Sequence, residues 1–254
     1  MKEIQSSKNP LVKELKKLHT AKGRKEFKKY LIEGFHLVEE AQNSGAKLEY
    51  ILFTQRAKEQ WGDWLDEQEE EKKIFVSEEV MNQLSTLPTP QGIIATLYIE
   101  ENLALEQFSG KWLILDNVQD PGNVGTMIRT ADAAGFAGVI LGEHSADIYN
   151  PKVLRSMQGS NFHLPILSMD IKQVIEQMKN NGISVYGTEL NKDALPMKKV
   201  PATQNIALIM GNEGSGVQKE ILALTDQNIY IELKGKAESL NVAVAAGILM
   251  FHFN

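Results

Sequence analysis

The chain of 254 residues contains no cysteine, so it has neither a disulfide framework nor a thiolate metal site. Long apolar runs are also missing, since the longest are short segments such as Ile206–Met210, far below the length of a membrane span. The N-terminal segment is basic and amphipathic but lacks the apolar core of a signal peptide. These absences predict a cytoplasmic protein that makes no use of a membrane.

Several common binding and catalytic patterns are absent as well. No G-x-x-x-x-G-K-[ST] loop occurs, and the glycines of Gly211–Gly216 have the spacing G-x-x-G-x-G, the reverse of the dinucleotide fingerprint. The five histidines form no pair at metal-ligand spacing, and no G-x-S-x-G elbow is found. The sequence therefore disfavours P-loop NTPases, nicotinamide oxidoreductases, serine hydrolases of the elbow type and metalloenzymes, and no metal is expected.

Charge is distributed unevenly along the chain. Residues 1–30 carry ten Lys or Arg and three Glu, a net charge of +7, so the whole-chain charge of −6 leaves −13 for the remainder. A basic segment on an acidic body is typical of contact with a phosphate backbone. A solvated helix face is an equally ordinary explanation of the same pattern.

The apolar pattern divides the chain into four parts. These are a basic helical segment (1–30), a smaller α/β domain (31–102), a polar link (103–110) and a larger domain (111–254). In the larger domain, strand-like and helix-like segments alternate, which indicates a mostly parallel sheet with helices on both faces. Its predicted strands are Trp112–Leu115, Gly138–Leu141, Leu164–Ser168, Ser184–Gly187, Ile206–Met210 and Ile229–Leu233, and its predicted helices are 123–134, 151–158, 170–180, 217–223 and 241–252.

Three predicted strands of this domain end in glycine-rich polar turns, "DNVQDPGN" (116–123), "GNEGSGV" (211–217) and "KGKAESLN" (234–241). Ligands of open parallel sheets bind beyond the carboxyl ends of the strands. We therefore expect the three turns to converge on one site.

Side chains in these turns are the candidate polar groups of that site. Asn123 either caps the helix after Pro121 or binds a ligand, and the free N–H groups at that helix start favour an anion. Arg129 is either a charge on the helix surface or, as Ile128 and its small apolar neighbours favour, a partly buried side chain that needs a partner, for which a phosphate and Glu213 are the candidates. Ser239 or Asn241 is the predicted cap of the last helix.

Taken in order, three segments resemble the motifs of SpoU-type (TrmH-like) RNA ribose 2′-O-methyltransferases of the SPOUT superfamily. They are "DNVQDPGNVGTMIRTADAAGF" (116–136), "IALIMGNEGSGV" (206–217) and "IYIELKGKAESLNVAVAAGILMF" (229–251). Residues 31–98 resemble the substrate-binding domain of that family. The resemblance covers nearly the whole chain.

The resemblance implies S-adenosylmethionine as cofactor, a C-terminal α/β domain tied in a deep trefoil knot, and a homodimer with its site near the subunit interface. Such knots are too rare for periodicity to predict. By position in the motifs, Thr188, Gly211, Ile231 and Leu240 are the expected cofactor contacts. The expected catalytic residues are Asn123, Arg129, Glu213, Ser239 and Asn241.

The activity implied by the resemblance is methyl transfer to a ribose 2′-hydroxyl of RNA, with ribosomal RNA favoured over transfer RNA by analogy alone. In the family, the arginine at the position of Arg129 is the proposed general base. A guanidinium is always protonated in proteins, so binding of a phosphate and the hydroxyl oxygen is the alternative role for Arg129. A catalytically silent RNA-binding protein of the same fold is the rival interpretation.

Overall fold

A computed structural model describes residues 2–100 and 107–254. The chain forms two compact units. The first consists of Met1–Glu101 and Tyr149–Phe162, and the second of Asn102–Ile148 and His163–Asn254.

The first unit is a five-stranded mixed sheet with helices. In the order β1-β4-β3-β5-β2, β1, β4 and β3 are parallel, and β5 pairs antiparallel with both β3 and β2. Its strands are β1 (Lys2–Ile4), β2 (Lys29–Glu33), β3 (Leu48–Phe53), β4 (Lys73–Val76) and β5 (Ile93–Tyr98). Its helices are α1 (Pro10–Lys17), α2 (Ala21–Phe27), α3 (Phe35–Asn43), α4 (Gln55–Asp66), α5 (Glu78–Leu84) and α7 (Pro151–Met157), the last followed by a 3-10 turn at Ser160–Phe162.

The basic N-terminal segment is part of this unit rather than a segment apart. Asn9 caps α1, Pro10 occupies its first turn, and Val12 and Leu15 are fully buried in the core of the unit. Strand β1 adds to the sheet beside β4. The expected separation of residues 1–30 from 31–102 therefore differs from the structure, because the apolar side chains of α1 need the sheet to cover them.

The second unit is built on seven parallel strands in the order β10-β12-β9-β11-β6-β7-β8. The α/β class with a parallel C-terminal sheet is thus confirmed. Its strands are β6 (Lys111–Leu115), β7 (Gly138–Leu141), β8 (Ile166–Ser168), β9 (Ser184–Thr188), β10 (Leu195–Pro196), β11 (Ile206–Met210) and β12 (Gln227–Tyr230). Its helices are α6 (Pro121–Ala133), α8 (Ile171–Asn180), α9 (Lys219–Leu222) and α10 (Val242–His252), with a 3-10 turn at Met197–Lys199.

The order of these strands reverses beside β6. From β6 the chain runs outward through β7 and β8, then returns to the other side of β6 with β9, β11 and β12. Such a reversal opens a crevice at the carboxyl ends of the strands. The three glycine-rich turns follow β6, β11 and β12 at this edge.

The segment Tyr149–Phe162 belongs to the first unit although it connects β7 and β8 of the second. Helix α7 packs against β2, with Val153, Leu154 and Met157 buried. This differs from the continuous domain 111–254 expected from the sequence, because the apolar face of α7 is covered by the first unit.

Part of the predicted link 103–110 lies outside the described residues. Phe108, at its end, is buried with Trp112 in the core of the second unit. The backbone N–H groups of Phe108 and Gly110 donate to side-chain oxygens of Asn181 and Asn205. The end of the link is therefore fastened to the second unit.

Candidate cofactor cleft and catalytic face

A cleft of about 680 Å³ lies in the second unit at the carboxyl ends of β9, β11 and β12. All four residues expected to contact the cofactor line it, namely Thr188, Gly211, Ile231 and Leu240. The predicted strand Ile229–Leu233 ends at Tyr230, so Ile231 leaves the sheet and contributes to the cleft wall. The volume falls within the range of about 300–1,000 Å³ that is typical of small-molecule sites.

The loop after β11 owes its shape to Asn212. The backbone of Asn212 exchanges hydrogen bonds with Gly216, at 3.0 and 2.9 Å, and its side-chain oxygen accepts from the N–H groups of Gly214 and Ser215. Gly211 packs so closely on this loop that a Cβ atom would lie 2.1 Å from the backbone nitrogen of Val217. The side of the cleft formed by this loop thus depends on a residue without a side chain.

One line of hydrogen bonds joins all three motifs. Nδ2 of Asn241 donates to Oδ1 of Asn123 at 3.0 Å, and Nδ2 of Asn123 donates to Oε1 of Glu213 at 3.1 Å. Asn241 also caps α10, since its Oδ1 accepts from the N–H groups of Ala243 and Val244. The structure therefore brings together three of the five expected catalytic residues.

Both oxygens of the Glu213 carboxylate accept hydrogen bonds. Besides Asn123, it accepts from the backbone N–H of Asp120 at 3.0 Å and of Gln119 at 3.2 Å. Partial burial opposes ionisation, but the hydrogen bonds from Asn123, Asp120 and Gln119 outweigh it and hold the pKa of Glu213 below its ordinary value of 4.5. Glu213 is thus a charged anchor for the first loop.

Two further contacts join the first and second loops, and the sequence did not predict them. The buried carboxylate of Asp116 accepts from the backbone N–H and the side-chain amide of Gln218, at 2.7 and 2.6 Å. Nδ2 of Asn212 donates to the carbonyl of Asn117, which has a left-handed φ of 56°. A pairing between residues about a hundred positions apart leaves no signal in local spacing.

The first helix of the site begins earlier than predicted. Its N-cap is Asp120, whose carboxylate accepts from the backbone N–H of Asn123, and Pro121 occupies the first turn. Of the two roles expected for Asn123, the helix cap is therefore taken by Asp120, and the ligand contact stays a prediction. The carboxylate of Asp120 also occupies the helix start where an anion was expected, so the two would repel each other.

Arg129 lies on α6, six residues after Asn123, and its side chain is exposed. The expectation of partial burial is wrong because Val124, Met127, Ile128 and Ala131 form the buried stripe of the helix, and position 129 falls outside it. Its guanidinium has no hydrogen-bond or ion-pair partner in the described part of the chain. Glu213 is not its partner, since that carboxylate binds Asn123 and the loop.

The remaining predicted residues lie at the cleft itself. Ser239 is exposed and lines the cleft beside Leu240. Thr188 lines it too, and its hydroxyl donates to the carbonyl of Ile209 at 2.8 Å. The described residues that form the wall contribute the four glutamates 189, 213, 232 and 238 and no Lys, Arg or His.

Across residues 2–100 and 107–254, no group of three or more His, Cys, Asp or Glu is placed to hold a metal ion. Within the same residues, no helix is both long and apolar enough to cross a membrane.

A parallel sheet with a cofactor-sized cleft at its carboxyl edge, next to polar groups from three loops, defines a small-molecule-binding α/β protein. Residues 111–251 match the SpoU rRNA Methylase family, and residues 9–95 match the MRM3-like substrate binding domain. The chain belongs to the SpoU rRNA methylase family.

Relatives match over nearly the whole chain. The chain is 46% identical to 23S rRNA (guanosine(2553)-2′-O)-methyltransferase RlmP of Bacillus subtilis (strain 168), across 99% of each sequence. Among solved structures, an AdoMet-bound rRNA methyltransferase from Sinorhizobium meliloti has a TM-score of 0.87 and 29% identity, covering 99% of this chain and 96% of the other. The SpoU methyltransferase AviRb from Streptomyces viridochromogenes, in complex with AdoMet, has a TM-score of 0.87 and 26% identity, with 96% and 97% covered.

Proposed function

We propose that this protein transfers a methyl group from S-adenosylmethionine to a ribose 2′-hydroxyl of large-subunit ribosomal RNA, in the cytoplasm where ribosomes assemble. The observation that carries the proposal is the line of hydrogen bonds from Asn241 through Asn123 to Glu213, a residue of the cleft wall. The relative from Bacillus subtilis, 46% identical, supports 23S rRNA over transfer RNA as the substrate.

The residues of the cleft fit S-adenosylmethionine. This cofactor carries a net charge of +1, and a wall with four glutamates and no basic side chain among its described residues favours a cation. Apolar groups, among them Ile231 and Leu240, offer a surface for the adenine ring. Backbone groups at Gly211 and Thr188 would complete the binding site. When bound, the cofactor supplies a methyl group already activated by its sulfonium.

The protein groups around the cleft then position the RNA. Arg129 has no partner among the residues that the structure describes, so its guanidinium is available to bind a phosphate of the substrate and the 2′-oxygen. Because a guanidinium stays protonated, we assign Arg129 to orientation and charge stabilisation, and the hydroxyl proton to water or another base. Asn123 lies in the same helix as Arg129. Its hydrogen bonds to Asn241 and Glu213 hold that helix in position beside the cleft.

Glu213 acts as a positioning residue rather than as a base. Its lowered pKa makes it a weak proton acceptor at neutral pH, and hydrogen bonds from Gln119, Asp120 and Asn123 occupy its oxygens. Ser239, exposed at the mouth of the cleft, is available to bind the ribose or the cofactor. The main contribution of the site is therefore the alignment of two reactants.

We also propose that two copies of the chain associate through α10. This helix is apolar on nearly every side, and Val244, Ile248 and Phe251 are 53%, 37% and 55% exposed. Their spacing of four and three residues places them on one face. A helix apolar all round is normally buried, and a second copy would cover this face next to the site that begins at Asn241.

The direct experiment is transfer of a tritiated methyl group from S-adenosylmethionine to unmodified 23S rRNA transcribed in vitro. After digestion, the label should appear in a 2′-O-methylated nucleoside. Unmodified transfer RNA and 16S rRNA are the matched substrates. Label on transfer RNA alone would overturn the choice of substrate. Cofactor binding without transfer to any RNA would point to a catalytically silent binder.

A further inference from the structure

Helices α1 and α2 form a basic hairpin, defined here as residues Pro10–Phe27. Three residues, Leu18–Thr20, join the helices. Gly23 lies so close to α1 that a Cβ atom would be 2.0 Å from the carbonyl oxygen of Lys17, and the Thr20 hydroxyl both caps α2 and donates to that carbonyl. The two helices are thus held at a fixed distance.

The apolar side of the basic hairpin is used inside the first unit. Val12, Leu15 and Leu18 are buried in its core. No large apolar side chain of the hairpin is exposed among the described residues. A helix that lies on a membrane needs an exposed apolar face, which the hairpin lacks, so an anionic lipid surface is a poor fit.

Two of the ten basic residues of the N-terminal segment serve the fold. Arg24 is buried, and its guanidinium donates to the carbonyl of Leu18 at 2.9 Å. Lys29 lies between Glu49, at 2.6 Å, and Glu14, at 3.6 Å. Both side chains therefore make contacts within the protein.

Four lysines of the hairpin are different. Lys13 and Lys17 lie one turn apart on α1, and Lys22 and Lys25 lie one turn apart on α2. All four are exposed and have no carboxylate partner in the described part of the chain. Their charge is therefore not neutralised by the described part of the chain, and the two helices that carry it are held at a fixed distance from each other.

We infer that the basic hairpin is the surface on which the RNA substrate docks its phosphate backbone, with Lys13, Lys17, Lys22 and Lys25 as the contacts. This inference rests on the proposed function for the identity of the polyanion. The remainder of the chain beyond residue 30 carries a net charge of −13, so the hairpin is a local excess of positive charge on a chain that is otherwise acidic in sum. The contacts are independent of base sequence and supply affinity, while the cleft selects the ribose.

The test measures RNA binding by fluorescence anisotropy over a series of salt concentrations. The full chain is compared with the fourfold variant Lys13→Gln, Lys17→Gln, Lys22→Gln and Lys25→Gln, with in-vitro 23S rRNA and a mixed-sequence single-stranded RNA 30-mer as probes. Each lysine that contacts a phosphate contributes about one unit to the slope of log K against log salt. The variant should lose about 3 to 4 units of slope and bind both probes on the order of 10²- to 10³-fold more weakly at low salt.

Two control variants separate charge at this surface from total charge and from folding. The variant with Lys47, Lys58, Lys199 and Lys219 changed to Gln loses the same charge at exposed positions elsewhere, and it should keep the wild-type slope. The variant with the four hairpin lysines changed to Arg should also keep it. An unchanged slope in the hairpin variant, or an equal loss in the Lys47 set, would overturn the inference.

Cofactor binding and methylation, measured on the same proteins, test the proposed function separately. S-adenosylmethionine binding should be equal in the wild type and the hairpin variant, because the cleft belongs to the second unit. If the wild type binds RNA through the hairpin but methylates none, the proposed activity fails while the docking surface stands. If methylation is normal and the hairpin lysines are dispensable, only the docking surface is wrong.

Discussion

Oδ1 of Asn123 accepts a 3.0 Å hydrogen bond from Nδ2 of Asn241, 118 residues later in the chain. The side-chain amide of Asn123 has one fixed orientation, because its Nδ2 donates to Glu213 while its Oδ1 accepts from Asn241. Asn241 in turn uses its own oxygen to cap α10. Neither amide can rotate without breaking two interactions, so the start of α10, helix α6 and the loop after β11 hold one another in place.

Replacing Asn241 separates its two roles. Asn241→Asp keeps an acceptor for the cap of α10 but cannot donate to Asn123, so stability should stay near that of the wild type while methyl transfer falls. Asn241→Ala should lose the cap as well, at a cost of about 1 kcal/mol in the free energy of unfolding. Chemical denaturation and methyl transfer, measured on both variants, test this. Equal methyl transfer by the wild type and Asn241→Asp would contradict the role of the Asn123 contact.

Arg129→Ala should abolish methyl transfer and leave cofactor affinity and stability unchanged. The side chain is exposed and has no partner among the described residues, so the fold loses nothing with it. Thr126→Ala, at another exposed position of α6, is the control and should remain active. Calorimetric titration with S-adenosylmethionine, alongside the transfer assay, tests both halves. Near-normal turnover by Arg129→Ala would show that its guanidinium is not needed for the reaction.

The stabilising effect of Glu213 should depend on pH. Its pKa in the folded protein is depressed below 4.5, so its contribution to stability is present above about pH 4.5 and is lost as the pH falls through the folded-state pKa. Glu213→Gln should therefore be less stable than the wild type at pH 7, by less than about 1 kcal/mol because the group is exposed and screened. The difference should disappear in acid. Urea unfolding of both proteins from pH 3 to 7 measures it, and a difference that grows toward acid would contradict the assignment.

Gly211→Ala should weaken cofactor binding strongly. The added Cβ would lie 2.1 Å from the backbone nitrogen of Val217, so the loop after β11 must move. Gly214→Ala in the same loop is a matched control, because its Cβ would meet nothing closer than 3.6 Å. Titration with S-adenosylmethionine should show a loss of ten-fold or more for the first variant only, about 1.4 kcal/mol. Equal affinities for the two variants would mean that this loop does not form the cofactor site.

Phe251→Glu should convert a dimer into a monomer. Phe251 is 55% exposed on α10, and a charge placed there would be buried without a partner in the interface. Leu224→Glu, at a position 39% exposed outside α10, is the control and should remain dimeric. Light scattering should report the monomer mass of 28.4 kDa for the first variant and twice that for the second. A wild type that is monomeric at all accessible concentrations would refute the proposed interface.

Element positions followed from the sequence where one periodicity dominates. The strands Gly138–Leu141 and Ile206–Met210 have the predicted bounds. Strand β1 and helix α7 illustrate what periodicity cannot show. Strand β1 pairs with β4, and helix α7 packs against β2. Local spacing in the sequence contains no information about such distant partners.

The candidate site was predictable as a set of residues but less so as a set of contacts. Three polar turns at strand ends on one edge of the sheet predicted that Gly211, Glu213 and Asn241 lie near one another, and the hydrogen bonds through Asn123 join Asn241 to Glu213. The small apolar neighbours of Arg129 suggest burial, but the angular position of residue 129 on the helix decides its exposure. The sequence does not distinguish Asp120 from Asn123 as the cap, because Asp and Asn cap helices about equally well.

The proposed activity is tested most directly by a map of 2′-O-methylated nucleotides in ribosomal RNA from cells with the gene, without it, and with the Arg129→Ala form restored. One 2′-O-methyl group in 23S rRNA should be present with the wild-type gene and absent in the other two. Ribosomal RNA with identical methylation in all three strains would contradict the proposed activity.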